Sequence, residues 1–213
     1  MARLTTLADK AGAALTPGEA DANMLLLDVR TGDGWADIVS ELIIRDTPLA
    51  PIGILYKGGI YLWEFPTQDL REAFANFHVP HTWKPGSMIY PHVHFTTASN
   101  LAGVVRWGFE YTWARRHDST GQIAFPAVQT IYVDFAIPAN SADTHFVCEA
   151  PEGLGIAGTG LEVDSMILMR VYRDGLHAND TFAASVLGIT ADLHHEVDRY
   201  ATPRRAPDFY TVV

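Results

Sequence analysis

With one cysteine, Cys148, the chain can close no internal disulfide, so its fold must rest on non-covalent packing. Phe146 and Val147 beside it point to a buried, unreactive thiol rather than a nucleophile. No apolar run approaches the roughly 18 residues of a membrane-spanning helix. The first ten residues lack the apolar core of a secretion signal. The expectation is a protein made in a cytoplasm with no membrane partner. Basic residues are also in deficit: 15 Lys and Arg face 25 Asp and Glu, for a net charge of -10. Such a balance argues against nucleic acid as the main partner, because no cation surplus is available to release phosphate counterions. Arg204 and Arg205 alone are too short a run to form a phosphate-binding patch. Internal repeats are absent. Helical periodicity is nearly absent: only residues 3–16 place Leu4, Leu7, Ala8, Ala11 and Leu15 near one face, before Pro17 and Gly18 end the run. So short a helix has too little apolar surface to stand alone.

What the chain has is alternation. Its 213 residues, 48% hydrophobic and 11% aromatic, suffice for a sizeable core. Residues 25–29 and 38–44 read as strands around a turn at Thr31, Gly32, Asp33 and Gly34. Residues 54–57 and 60–63 form a hairpin across Gly58 and Gly59. Residues 69–79 have fair helix propensity, yet Ala73, Ala75, Phe77 and Val79 alternate up to Pro80, which favours a strand. Residues 88–96 alternate, with Pro91 marking an edge or a bulge. Val105, Trp107, Phe109, Tyr111 and Trp113 then share one face, the clearest strand in the chain, and we read these last two as a central hairpin. Further strands are expected at 127–137, 145–148, 163–172 (apolar on both faces, hence central) and 182–197, the last broken near Gly188. About ten strands imply an all-β fold, a β-sandwich or jelly roll at residues 25–200, with a short N-terminal arm (1–24) and a C-terminal tail (201–213) anchored by aromatics.

The candidate chemistry centres on Gly86, His92 and His94, spaced G-x5-H-x-H as in the opening of a cupin motif. Side chains at i and i+2 of a strand point the same way, so two imidazoles can converge on one metal. His194, with Asp192 and Glu196 on its own face, could complete the shell, as could His81. The glutamate that a cupin motif wants shortly after the second histidine is missing, and so is the second motif. Without them a hydrogen-bonded histidine pair is the simpler reading. No nucleophile setting surrounds Ser87, Ser99, Ser141, Ser165 or Ser185. The glycines at 153, 155, 158 and 160 lack the strand, helix and lysine of a phosphate loop. Glu149, Glu152 and Glu162 read as solvated acids. Glu110 and Asp164 could form a glycosidase pair only if the fold joins them. Trp107 and Trp113 could stack on a sugar, but their uniform apolar face favours core packing.

Six blocks in order carry a further signal: FHVPHTWKPG at residues 77–86, YPHVHF at 90–95, VRWGFEY at 105–111, RVYR at 170–173, TADLHH at 190–195 and ATPRRAPDFY at 201–210. Together they resemble a widespread family of tailed-bacteriophage virion structural proteins, from about Asp37 to the C-terminus. Relatives tend to carry tryptophan where Phe95 stands and an aromatic where His195 stands. The resemblance implies a β-sandwich displayed on the virion as a homotrimer, with the major capsid protein or other virion proteins as partners. It implies no enzymatic activity and no required cofactor. A capsid decoration or cement protein, stabilising the head through contacts between subunits by its arm and tail, is the leading expectation. The alternatives are a fibre- or collar-associated carbohydrate-binding protein, and a cupin-like metalloprotein with a divalent metal on His92, His94 and His194.

Overall fold

A computed structural model describes residue 16, residues 34–198 and residues 201–211. The expected arm helix and the strand at 25–29 lie outside the described residues. Within them the fold is all-β, with ten strands: β1 (Gly34–Glu41), β2 (Ile52–Lys57), β3 (Ile60–Phe65), β4 (Leu70–His78), β5 (Ile89–Thr96), β6 (Gly103–Ala114), β7 (Gln129–Ile137), β8 (Phe146–Glu149), β9 (Met166–Asp174) and β10 (Val186–Val197). They form two antiparallel sheets packed face to face. One runs β2-β3-β10-β5-β8, with β1 added on β10, and the other runs β4-β9-β6-β7. No helix among the described residues is long and apolar enough to cross a membrane.

The two most legible strands are not a hairpin. β5 pairs with β10 and β8, whereas β6 pairs with β9 and β7 in the opposite sheet. Both have an apolar face, and each buries it against the other sheet rather than beside its sequence neighbour. Val93 and Phe95 of β5 thus meet Val105, Trp107 and Phe109 of β6 in a fully buried core. Phe65, Phe95, Phe135 and Phe146 surround this centre, with Phe65 5.1 Å from Trp107 and Phe95 5.6 Å from it. Each such side chain contributes roughly 1.5–3 kcal/mol through burial.

Pro91 sits inside the sheet because the ladder stops there. Its carbonyl accepts from the Ala150 N–H, one residue past the end of β8. The missing proline N–H would point to that same side, beyond the last paired residue of β8, so no ladder bond is lost. The break expected near Gly188 is a register shift between Gly188 and Thr190. There β10 exchanges one neighbour, β3, for another, β1. A Cβ on Gly188 would stand 2.7 Å from the Phe65 ring and 2.8 Å from Leu42, so only glycine fits. The hairpin of β2 and β3 turns through Gly58 at φ +56°, the positive φ that a two-residue turn asks of its first central residue. β4 is a strand along its whole length, in register with β9 over nine residue pairs.

One end of the sandwich is closed by a buried ion pair. Arg173 lies on the inner face of β9 with no solvent exposure. Its guanidinium donates to both Asp180 carboxylate oxygens (2.7 and 2.9 Å) and to the carbonyls of Phe65, Phe182 and Ala184. The C-terminal segment, over residues 201–211, packs on its own domain. Phe209 is fully buried, His81 packs edge-on against its ring at 5.6 Å, and Arg116 donates to the Arg205 carbonyl.

Removing one partner of a fully hydrogen-bonded buried pair strands the other charge. Arg173→Ala is therefore expected to cost about 3–5 kcal/mol in urea unfolding. A loss below about 1 kcal/mol, the scale of an exposed pair, would contradict this role.

Candidate functional site

Because Val93 and Phe95 point into the core, the period-two rule sends His92 and His94 to the outer face of the six-stranded sheet. The same rule on β10 buries Ala191 and Leu193 and turns Asp192 and His194 outward. Cross-strand register completes the group. Asp192 and Glu149 both stand opposite His92, and Asp37 of β1 stands opposite His194. All three histidines singled out in the sequence, and Asp192, are thus brought together. The glutamate missing after His94 is replaced by carboxylates from neighbouring strands.

The distances are short. His194 Nε2 is 2.8 Å from Asp37 Oδ1, and His194 Nδ1 is hydrogen-bonded to Glu149. His94 Nε2 is 3.1 Å from Asp192 Oδ2, and its Nδ1 is 2.7 Å from His145 Nε2. The His92 ring lies 4.1 Å from that of His194 and 5.0 Å from that of His94. Though on an outer face, the His92 side chain is only 2% exposed, and its Nδ1 has no hydrogen-bond partner. Burial, and then the neighbouring His194, holds His92 below the ordinary histidine pKa. Two overlapping groups have donor atoms within 4.8 Å of one another: Asp37, His92 and His194; and His92, His94 and Asp192.

His81 and Glu196 do not join the cluster. His81 bonds to Thr202 and, at 3.1 Å, to Asp164, so it anchors the tail. Glu196 receives Lys84 at 2.7 Å. Glu149, read from the sequence as solvated, is a partner of His194. Glu110 faces Arg170, while Asp164 is held by Arg116 and His81. Each of these acids already has a cation, and nothing joins the two as a pair. Cys148 is buried, and burial raises its thiol pKa well above the usual value, which agrees with an unreactive role.

Beside the cluster lies a groove of about 420 Å³, lined by Trp35, Tyr90, Glu149, Glu152 and His194. Trp35 is 63% exposed, and its ring centroid is 5.8 Å from that of Tyr90. Trp107 and Trp113, the tryptophans considered for sugar stacking, are core residues. Sequence reasoning missed Trp35, Asp37 and Tyr90. Asp37 and Tyr90 both stand opposite His194 on strands far apart in the chain, a register that no local pattern encodes.

No family model and no curated protein matches the chain. Among solved structures it is similar to the CBM22-1–GH10 modules of Clostridium thermocellum endo-1,4-β-D-xylanase 10B, solved with xylohexaose. The identity is 10% and the TM-score 0.35, over 74% of this chain and 28% of that one. It is also similar to TmCBM61 in complex with β-1,4-galactotriose, at 9% identity and a TM-score of 0.28, over 78% of this chain and 88% of that one. The chain thus spans under a third of the length of the xylanase structure. Likeness at this level carries no functional argument.

The open groove makes Trp35 accessible to collisional quenchers, while Trp83, Trp107 and Trp113 are shielded. Trp35→Phe is expected to remove the largest share of the acrylamide-quenchable fluorescence, the half-buried Trp63 supplying the remainder. An unchanged quenchable fraction would contradict an open groove.

Proposed function

We propose that this chain is a structural component of a tailed-bacteriophage virion, a non-enzymatic β-sandwich that decorates or cements the capsid. It would act as a homotrimer, packing against the major capsid protein or other virion proteins. The observation that carries the reading is the hairpin of β2 and β3. Leu55 and Tyr61 stand directly opposite each other and are 57% and 67% exposed. Ile52 and Ile60 are likewise exposed. Among the described residues β2 pairs only with β3, so within them its other edge presents backbone groups outside the ladder beside these apolar side chains. No proline or inward charge blunts the edge, and Lys57 at its end is paired with Asp143 at 3.0 Å. An apolar edge of this kind calls for a protein partner.

The sequence blocks behind the resemblance support the same reading. They supply the core face of β6, the buried Arg173 and the His81 and Phe209 anchor of the tail, all of which hold the sandwich together. The double variant Leu55→Lys/Tyr61→Lys changes no core residue. It is expected to keep the fold by circular dichroism, to sediment as a monomer where the parent chain is trimeric, and to lose co-sedimentation with capsids. A parent chain that is monomeric at high concentration and does not bind capsids would overturn the proposal.

A second reading has its own observation, the exposed Trp35 beside Tyr90 and two carboxylates. A fibre- or collar-associated protein could stack a sugar face on that indole and hold its hydroxyls with Glu149 and Glu152. Glycan binding that disappears in Trp35→Ala would favour this reading, and an array without signal would remove it.

A further inference from the structure

The histidine cluster does more than a surface ion-pair network needs to do. An imidazole between two carboxylates, as His194 is between Asp37 and Glu149, has a partner for each ring nitrogen within the sheet. His92 does not. It is buried at 2% exposure, lies 4.1 Å from the ring of His194, and leaves Nδ1 unsatisfied. Burying a ring nitrogen without a partner is costly, and the sheet does so where two further donors, Asp37 and His194, converge.

We propose that Asp37, His92 and His194 bind one divalent transition-metal ion of the zinc class, with Glu149 orienting His194. Two imidazoles and one carboxylate form a borderline nitrogen and oxygen set, which suits zinc, cobalt or nickel. Calcium and magnesium prefer all-oxygen shells. The three ligands sit on adjacent strands β1, β10 and β5, so the ladder itself sets their spacing. Their donor atoms already lie within 4.8 Å of one another. Contraction to bonds of about 2.0–2.2 Å then requires only side-chain rotation. Asp37 is half exposed and free to make that movement. Glu149 on His194 Nδ1 selects the tautomer whose lone pair is on Nε2, the nitrogen that faces Asp37.

The competing group of His92, His94 and Asp192 is less suited. Its carboxylate, Asp192, is buried and already accepts from Thr190, so it is less able to move onto an ion than Asp37, and the outer partner of His94 is His145 rather than a carboxylate. His194 borders the Trp35 groove, which gives an ion its route in and leaves a coordination position facing that groove. The inference does not depend on the virion reading, and its test reads metal alone.

The experiment uses the full chain without a histidine tag, stripped with chelator and titrated with zinc chloride by calorimetry. Cobalt(II) visible spectra report the coordination, and circular dichroism reports the fold. One equivalent is expected to bind, with d–d bands of nitrogen and oxygen ligation. His92→Ala and His194→Ala should abolish binding. Asp37→Asn, a conservative surface change, should weaken it at least tenfold even if a histidine variant unfolds. Glu149→Gln should weaken it by about 10–100-fold. His94→Ala should leave it unchanged, and excess calcium should not compete. Absence of saturable binding would overturn the proposal. So would loss in His94→Ala equal to that in His194→Ala, displacement by calcium, or full affinity in Asp37→Asn.

Discussion

The register between β5 and β10 is the constraint on which the rest of the molecule depends. It sets Val93 against Ala191 and His92 against Asp192. One face of the pair therefore fills the core and the other assembles the cluster. A slip of β5 by one residue would turn His92 and His94 into the core and expose Val93 and Phe95. The close approach of Phe65 and Leu42 to Gly188, and the change of neighbour beside it, pin β10 at one end. At the other end Lys84 grips Glu196 through both backbone and side chain. Core and cluster are consequences of one alignment.

Period-two patterning made most strands legible in the sequence, because each sheet has one dry face. β6 is the clearest case: Val105, Trp107 and Phe109 are all fully buried. The fair helix propensity of β4 was overridden by Ala73, Ala75 and Phe77, which tertiary packing needs on one side. Pairing was less legible. Two adjacent amphipathic strands suggest a hairpin, yet adjacency says nothing about which sheet each joins, and β5 and β6 lie on opposite sides of the core. The site was legible as far as His92, His94, Asp192 and His194, since i and i+2 spacing is local information. Asp37, Glu149 and Trp35 enter through cross-strand contacts, and His81 leaves because the tail residue Thr202 and the loop residue Asp164 claim both its nitrogens.

The outer surfaces divide the work. On the face of β4, β9, β6 and β7, Arg170 links Glu72 and Glu110, and Tyr172 bonds to Tyr132 while its ring covers Gly108. The opposite sheet carries the apolar edge of β2 and the unpartnered His92 nitrogen. The proposed assembling and metal-binding roles therefore fall on one sheet, on different strands.

The central claim is that this sandwich is a virion component held by the edge of β2 and β3. A density map of purified particles tests it most directly. The account predicts density for the sandwich on the particle, with Leu55 and Tyr61 buried against another subunit. Particles that lack the chain, or a bound chain whose β2 and β3 hairpin faces solvent, would contradict it.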